Sequence, residues 1–216
     1  CYLNILDSGS RAKGTAISLA SDVDYVVSLS NNCNDNNGGL KACYDSLLTM
    51  LNNAYGSQNV RKQNVSVRLK LNGLEIDVTP AKRQSGTTHI HSIYVSKSGS
   101  WAQTNIQRHI IDISQSGRTN EIRILKIWRN LHALDFPSIY LEYLLVNNIL
   151  LNKSKDVNSL ENNVWFTLNE LAKTQGNPLY SRITDPASTN NILSNLLTNV
   201  DKQKIITFDI WILNLI

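Results

Sequence analysis

The alternation of apolar and polar residues predicts β-strands in the first part of the chain. The run from Asp22 to Val27 ends in the β-branched and aromatic residues that pack well on a buried, pleated surface. Further along, Val65 to Leu71 and Leu74 to Thr79 alternate apolar and polar residues on either side of Asn72-Gly73. Because a type I′ turn requires a positive φ at both central positions, Asn-Gly between two such runs predicts a β-hairpin.

Apolar residues at helical spacing predict one helix between these strands and several more in the second half. The predicted helix from Leu40 to Tyr55 follows a turn-rich loop, Asn31 to Gly39, that we expect to contain no element of its own. Ile93 to Val95 predicts one further strand. After about Gly99 the spacing is helical, and Pro137 is expected to end the first of these helices. The helices predicted in the second half are Asn120 to Leu134, Ser138 to Leu151, Leu160 to Lys173 and Asp201 to Leu215.

Together these patterns predict an α+β fold in two lobes. Residues 1–98 would form a mixed lobe in which helices pack on a sheet, and residues 99–216 a helical lobe. With 42% hydrophobic and 18% charged residues, the chain has the composition of a folded globular protein and not of a disordered one. Its net charge of +4 favours polyanionic partners slightly, but it falls short of the basic stripe expected of a dedicated DNA-binding domain.

Three carboxylates in the predicted strands are candidates for metal ligands. In an extended strand alternate side chains share a face, so Asp22 and Asp24 point the same way. Asp77 lies on the polar face of the second hairpin strand, where Glu75, nearer the turn, is a weaker candidate. Because like charges side by side are costly without a cation, the three aspartates predict a site for a divalent metal ion.

The Gly9-Ser10 pair upstream adds a nucleotide-binding pattern to these carboxylates. A small glycine-serine turn followed by two carboxylates is typical of proteins that hold a nucleoside triphosphate over divalent metal ions. Glycine lets backbone N–H groups approach phosphate oxygens closely, and the Ser10 hydroxyl can add its own contact. A Gly-Ser pair alone is usually a plain turn, and a lone Asp-Val-Asp is usually solvated. The order of both motifs, with Asp77 in a matching hairpin, favours a catalytic site.

Other reactive residues carry weaker signals. Cys1, Cys33 and Cys43 form no CxxC pair, so we expect reduced thiols in a cytosolic protein. His89 and His91 have no cysteine at zinc-finger spacing, and the polar face of a strand explains them as well as zinc does. No apolar run reaches the length of a membrane span, so we expect no membrane partner.

The motifs resemble those of the DNA polymerase β-like nucleotidyltransferases. The pattern of that family is a Gly-Ser pair, a short gap, Asp-x-Asp and a third aspartate on a later strand. Here it is Gly9-Ser10, then Asp22-Val23-Asp24, then Asp77 in Glu75-Ile76-Asp77-Val78. The segment Lys13-Gly14-Thr15-Ala16 is similar to the branch that holds oligoadenylate synthetases, cyclic GMP-AMP synthases and the bacterial cyclic-oligonucleotide synthases of antiphage defence. The resemblance implies a polymerase β-like nucleotidyltransferase lobe followed by a helical lobe.

The resemblance extends more diffusely into the second half. Ile124 to Trp128 resembles the helix that carries a lysine toward the triphosphate in this family. That makes Lys126 a candidate partner for the β- and γ-phosphates, a part that Arg11 and Lys13 could also take.

Two later segments and the start of the chain also bear on the resemblance. Tyr140-Leu141-Glu142 and Asp185-Pro186-Ala187 resemble segments of the family, although such acidic residues are more often structural than catalytic. In this branch a long helix normally precedes the Gly-Ser turn, and here only eight residues do. We therefore expect an N-terminal piece to be missing before Cys1.

The resemblance implies a metal-dependent nucleotidyltransferase that uses nucleoside triphosphates, ATP and/or GTP. Asp22, Asp24 and Asp77 would be the catalytic and metal-binding residues, with two Mg²⁺ or Mn²⁺ ions as cofactors. Gly9, Ser10 and Lys126 would bind the nucleotide. The expected product is a cyclic or linear oligonucleotide second messenger made in the cytoplasm during antiviral defence, to which an effector protein would respond. The absence of zinc-ribbon spacing argues against a double-stranded DNA sensor, so a nucleic-acid activator is not indicated.

Two other functions remain open at this point. The same fold could transfer a nucleotide to an RNA end, a protein or a small molecule. A function of another class is a catalytically inactive nucleotide-binding module. The three clustered carboxylates argue against the inactive module, because a protein that only binds has no need of them.

Overall fold

The structure, a computed structural model, describes residues 1–18 and 22–213, with residues 211–213 described in their backbone only. The chain divides into two compact units. Unit 1 contains Cys1–Lys13 and Ser21–Ile110, and unit 2 contains Gly14–Ala20 and Ile111–Ile216. The sequence placed the boundary between residues 98 and 99, so the structure assigns twelve more residues to the first unit and a short early segment to the second.

The described part of unit 1 is a mixed sheet of seven strands with helices packed on both faces. Its helices are α1 (Gly9–Ala12), α2 (Gly39–Tyr55) and the first part of α3 (Ile106–Ser114). Its strands are β1 (Tyr2–Ser8), β2 (Val23–Leu29), β3 (Val60–Lys62), β4 (Val67–Leu71), β5 (Leu74–Arg83), β6 (His91–Val95) and β7 (Ser100–Thr104).

The strand order puts β2 and β5 side by side in the middle of the sheet. The path is β1-β2-β5-β4-β3, with β6 beside the end of β5 and β7 beside β6. β2 and β5 are parallel, and the other pairs are antiparallel. Asn72 and Gly73 join β4 to β5 with φ values of 50° and 83°, which confirms the predicted Asn-Gly hairpin.

Two apolar clusters hold the helices to the sheet, one on each face. Because side chains alternate between the faces of a strand, β5 contributes Val78 to one cluster and Ala81 to the other. The cluster under α2 contains Tyr44, Leu47, Leu51 and Val67. The cluster under α3 contains Val26, Ala81 and Ile106. The predicted helix from Leu40 to Tyr55 is confirmed by α2, whose buried residues face the sheet.

Three expectations for unit 1 are wrong. The loop from Asn31 to Gly39 contains a short 3₁₀ turn at Asp35–Asn37. The segment after Gly99 begins as strand β7 and not as a helix, because it finds a pairing partner in β6. Cys1 and Cys33 form a disulfide, where reduced thiols were expected. Antiparallel pairing of β1 with β2 brings the start of one strand to the end of the other, and the two cysteines lie just beyond those ends.

The described part of unit 2 is mainly helical. Its helices are α4 (Thr119–Leu131), α5 (Ser138–Leu144), α6 (Leu160–Leu171) and α7 (Asn199–Leu213), joined by a two-stranded ladder of β8 (Thr184–Asp185) and β9 (Ser188–Ile192). Each of the four predicted helices is present, and the last residues of the Asp201 to Leu215 prediction lie outside the described residues. No described helix combines the length and hydrophobicity that a membrane span requires.

The details of unit 2 differ from the sequence expectation at two helix ends. α4 ends at Leu131, before the predicted Pro137, and Ala133 just beyond it has a φ of 48°. Pro137 instead precedes α5, a position that its fixed φ and missing N–H suit. The helix predicted to reach Leu151 widens into a π turn at Leu145–Ile149. The β8–β9 ladder was not predicted.

Asp209 is a buried carboxyl group in α7 that has no hydrogen-bond partner among the described residues. Burial raises its pKa from 3.8 to about 8. The folded protein therefore keeps this proton over a pH range in which the unfolded chain has lost it. Since the pKa is higher in the folded state, this proton linkage costs no stability below the unfolded-state pKa, and stability falls as the pH rises toward the folded-state pKa.

We expect Asp209→Asn to raise the free energy of unfolding at pH 7 by about 2–4 kcal/mol, because the neutral amide abolishes this proton linkage. The gain should shrink toward zero as the pH approaches the unfolded-state pKa. Urea unfolding at several pH values measures both effects. Glu161→Gln, at an exposed position in the first turn of α6, is the control and should change stability by less than about 0.5 kcal/mol. A gain independent of pH would contradict the prediction.

Candidate functional site

The three predicted carboxylates come together at one end of the β2–β5 pair. Asp24 lies on β2 directly beside Asp77 on β5, because the parallel register pairs these two residues. Asp22 precedes the first residue of β2, two positions before Asp24. Since alternate residues of a strand share a face, Asp24 and Asp77 lie on the face that α3 covers further along, where Val26 and Ala81 are buried.

The chain turns at Gly9 immediately beside Asp24. β1 pairs with β2 so that Ser8 is opposite Asp24, and Gly9 then takes a φ of 65° to begin α1. A Cβ atom at this position would lie 1.8 Å from Asp24 Oδ2. Both the left-handed backbone and the lack of space require glycine here. Ser10 follows in α1 and is partly exposed.

Arg68, which the sequence analysis did not single out, binds this carboxylate cluster. It lies on β4 opposite Asp77, and its Nε and Nη2 donate to Asp77 Oδ1 and Oδ2, both at 2.8 Å. Nη2 also donates to Asp22 Oδ2 at 2.5 Å, and Nη1 donates to Glu75. A signal was present in the sequence, because a two-residue Asn72-Gly73 turn fixes the register that pairs position 68 with position 77.

Burial and the proximity of like charges shift the pKa values of the residues in the cluster. Burial raises the pKa of Asp24 to about 6, and the neighbouring Asp77 and Asp22 carboxylates contribute to this rise, whereas Lys13 and Arg68 oppose it. Burial is also the main reason that the pKa of Asp22 is raised. The hydrogen bond to Asp77 raises the pKa of Arg68, so its guanidinium stays charged.

The carboxylate oxygens of the cluster are suitable ligands for a hard divalent cation, although the side chains of Asp22 and Asp77 point toward Arg68. Over residues 1–18 and 22–213, no three acidic, histidine or cysteine side chains converge in positions that could hold a metal ion. Asp22 and Asp77 point to the guanidinium, while Asp24 receives none of its hydrogen bonds. Carboxylate oxygens are the preferred ligands of Mg²⁺, and the bare Gly9 backbone keeps the space next to Asp24 free of a side chain. The residues present therefore fit such an ion.

Lys126, predicted to contact the triphosphate, is buried within unit 2. Its Nζ donates to Glu142 Oε1 at 2.6 Å and to Thr15 Oγ1 at 2.9 Å, and the side chains of Lys126 and Glu142 are both almost inaccessible. The Thr15 hydroxyl donates to Glu142 Oε1 at 2.9 Å. Glu142 thus serves as an internal counter-ion. Asp185 is likewise buried in a turn, where it accepts hydrogen bonds from the Ala187 N–H and the Asn191 amide.

Comparison with known protein sequences gives a family and a relative. Residues 1–116 match the family described as the Second Messenger Oligonucleotide or Dinucleotide Synthetase domain, abbreviated SMODS. A cyclic AMP-AMP-AMP synthase of Escherichia coli strain MS 115-1 is 26% identical over 157 residues, which cover 68% of this chain and 48% of that protein. The chain thus spans about half the length of this relative.

Solved structures share the fold over nearly the whole chain. A chain of the E. coli MS115-1 CdnC:HORMA-deltaN complex gives a TM-score of 0.70 at 23% identity, covering 97% of this chain and 74% of that one. The Bradyrhizobium diazoefficiens CD-NTase CdnG in complex with GTP gives 0.70 at 13% identity, covering 96% and 76%.

A third solved structure extends the likeness to a cyclic dinucleotide synthase. The Vibrio cholerae cyclic AMP-GMP synthase DncV gives a TM-score of 0.67 at 15% identity, covering 94% of this chain and 60% of that one. These likenesses confirm the polymerase β-like nucleotidyltransferase fold expected from the sequence. Since the SMODS match takes in more than half of the residues, the chain belongs to the family of Second Messenger Oligonucleotide or Dinucleotide Synthetase domains.

Proposed function

We propose that this protein is a metal-dependent nucleotidyltransferase that joins nucleoside triphosphates into a cyclic or linear oligonucleotide second messenger. The observation that carries the proposal is the register of β2 and β5, which sets Asp24 beside Asp77 at the point where the chain turns through Gly9. The likeness to synthases of cyclic AMP-AMP-AMP and cyclic AMP-GMP supports it. Solved relatives in complex with ATP and GTP support these nucleotides as substrates.

Each residue of the cluster has a proposed task. Asp22, Asp24 and Asp77 would ligate two Mg²⁺ or Mn²⁺ ions, which when bound neutralise the triphosphate and lower the pKa of an attacking hydroxyl. Asp77 would accept the proton of that hydroxyl at one of its carboxylate oxygens. Gly9 and Ser10 would hold phosphate oxygens with backbone N–H groups and the serine hydroxyl. The proposal assigns this chemistry to the catalytic lobe of residues 1–98.

The biological setting of the proposal is signalling in the cytoplasm during antiviral defence, with a separate effector protein responding to the product. The family description, which concerns second messengers, supports a signalling role. The similar protein CdnC forms a complex with HORMA-deltaN, which supports a protein partner for this chain as well. The proposal does not specify which bases the product contains, because one relative is named for cyclic AMP-AMP-AMP and another for cyclic AMP-GMP.

Loss of the Asp24 carboxylate should abolish turnover. With Mg²⁺ or Mn²⁺ and the four ribonucleoside triphosphates, wild type should release pyrophosphate, and Asp24→Asn should lower the rate about a thousandfold or more because a metal ligand is lost. Asp45→Asn, at an exposed carboxylate of α2 outside the cluster, is the control and should keep the wild-type rate.

The product of the same reaction separates second-messenger synthesis from transfer to an acceptor. A phosphatase-resistant oligonucleotide formed without added acceptor supports the proposal. Pyrophosphate release that requires an added RNA, protein or small molecule would instead indicate transfer. Equal background rates for wild type and Asp24→Asn would contradict nucleotidyl transfer altogether.

The close approach of Gly9 to Asp24 gives a second prediction. Gly9→Ala should reduce the rate of pyrophosphate release about a hundredfold. The new Cβ would lie 1.8 Å from Asp24 Oδ2 and must displace the carboxylate, and misplacing a catalytic group slows the reaction. Gly99→Ala is a matched control, since Gly99 has the same φ of 65° and nothing within 4 Å of the added Cβ. Both variants lose a favourable glycine conformation, so equal activities would show that the contact with Asp24 does not matter.

The predicted role of Lys126 needs a variant that keeps unit 2 folded. Lys126→Met alone removes the cation that is hydrogen-bonded to the buried Glu142, which we expect to cost about 3–5 kcal/mol of unfolding free energy. Lys126→Met with Glu142→Leu removes both charges and should restore most of that stability. If Lys126 contacts the triphosphate, the double variant should raise the KM for nucleotide about tenfold. A stable double variant with wild-type KM would limit Lys126 to a structural role.

A further inference from the structure

Arg68 binds the carboxylate cluster as a built-in counter-ion. Three of its nitrogens donate hydrogen bonds to three acidic residues, with both oxygens of Asp77 held in a bidentate fork. The side chain of Arg68 is only 20% exposed and that of Asp77 only 15%. Such fork pairs are among the stronger ionic hydrogen bonds in proteins. Arg68 is therefore the positive charge that holds Asp22 and Asp77 together in this structure.

The position of Arg68 follows from the hairpin and not from a flexible loop. Asn72-Gly73 fixes the pairing of β4 with β5, so Arg68 is directly opposite Asp77, and Lys70 is opposite Glu75. Val67 and Leu69, on either side of Arg68, are buried on the other face of the strand. The Arg68 backbone is consequently anchored, and only its side chain can leave the carboxylates.

Binding of a divalent cation to the same carboxylates conflicts with this arrangement. Both oxygens of Asp77 and one oxygen of Asp22 already accept hydrogen bonds from Arg68. An ion ligated by those oxygens would lie close to the guanidinium, and two positive charges at that distance in a partly buried site repel strongly. Glu75 offers Arg68 an alternative partner, because it is bound through a different nitrogen and is more exposed than Asp77.

We infer that Arg68 is a positioning residue that competes with the catalytic cations. It keeps the acidic cluster assembled without metal and releases Asp22 and Asp77, while retaining Glu75, when divalent cations bind. Arg68 thereby lowers the affinity of the site for cations, and Glu75 offsets part of that effect. The inference rests on the proposed function, since it takes Asp22, Asp24 and Asp77 to be the cation ligands.

The test measures Mn²⁺ binding without nucleotide, by the relaxation of water protons around the bound ion. We expect Arg68→Met to bind Mn²⁺ about tenfold more tightly than wild type, because a like charge next to the ion is removed. Lys70→Met is the matched control: it removes one positive charge from the same strand at an exposed position and should change the affinity less than about twofold. An Arg68→Met affinity equal to or weaker than that of wild type would overturn the inference.

Glu75 provides a second readout through a double-mutant cycle. Glu75→Gln should weaken Mn²⁺ binding in wild type for two reasons, the loss of a negative charge and the loss of the alternative partner of Arg68. In the Arg68→Met background only the first reason remains, so the fold-change should be smaller. Equal fold-changes in the two backgrounds would show that Glu75 does not act as the partner of Arg68 when the cation binds.

Folding of the variants is part of the same test. Without Arg68 the carboxylates repel one another, so Arg68→Met should unfold at a lower temperature than wild type and should be stabilised more by Mg²⁺. Potassium chloride at the same ionic strength should not produce the extra stabilisation that Mg²⁺ gives to Arg68→Met. Arg68→Gln, which keeps a hydrogen-bond donor, should likewise unfold at a lower temperature than wild type and should be stabilised more by Mg²⁺. If neither variant folds and Mg²⁺ rescues neither, Arg68 is a structural residue and the inference fails.

The closing comparison separates this inference from the proposed function. Asp24→Asn should weaken Mn²⁺ binding in both the wild-type and the Arg68→Met backgrounds. Binding that depends on Asp24 but is not tightened by Arg68→Met overturns only the inference about Arg68. Binding that ignores Asp24 in both backgrounds places the cation elsewhere and overturns the metal site of the proposed function.

Discussion

The parallel pairing of β2 with β5 is the constraint on which the site depends. It fixes Asp24 and Asp77 side by side in a partly buried position, where two carboxylates repel each other. Neighbouring elements compensate for that repulsion. β4 brings the guanidinium of Arg68 to the cluster, and β1 leads into a glycine that leaves space beside Asp24. The two apolar clusters on either face of the sheet then keep these strands in register.

The sequence was sufficient wherever the relevant interaction is local. Asn72-Gly73 determines its own turn, the turn determines the register of β4 with β5, and alternation assigns Asp77 to the polar face. By the same logic the pairing of Arg68 with Asp77 was available from sequence. The parallel register of β2 with β5 was not, because residues 30–73, which include α2, β3 and β4, separate the two strands and no local signal fixes their alignment.

Sequence pattern was insufficient where tertiary contacts decide the structure or the surroundings of a residue. Ser100–Thr104 is a strand because β6 offers it an edge, although the spacing after Gly99 is typical of a helix. Lys126 lies on an amphipathic helix, and pattern alone would place such a lysine in solvent or toward a ligand. Its burial depends on Glu142, which is sixteen residues away in another helix. A polar residue on the inner face of a helix therefore stays ambiguous until its partner is known.

The ion pairs of the two units differ in a way that distinguishes architecture from chemistry. In unit 2, Arg118 meets Glu121 and three backbone carbonyl groups, and Lys126 meets Glu142, in surroundings closed to water. Each of these cations is matched by a buried carboxylate, which suits a permanent structural role. In unit 1, by contrast, the single guanidinium of Arg68 binds three acidic residues and Asp24 lies beside them, in a partly exposed position. A cluster with excess negative charge and partial access from solvent is poised to accept further positive charge, and that imbalance, more than the presence of the aspartates, supports its choice as the candidate functional site.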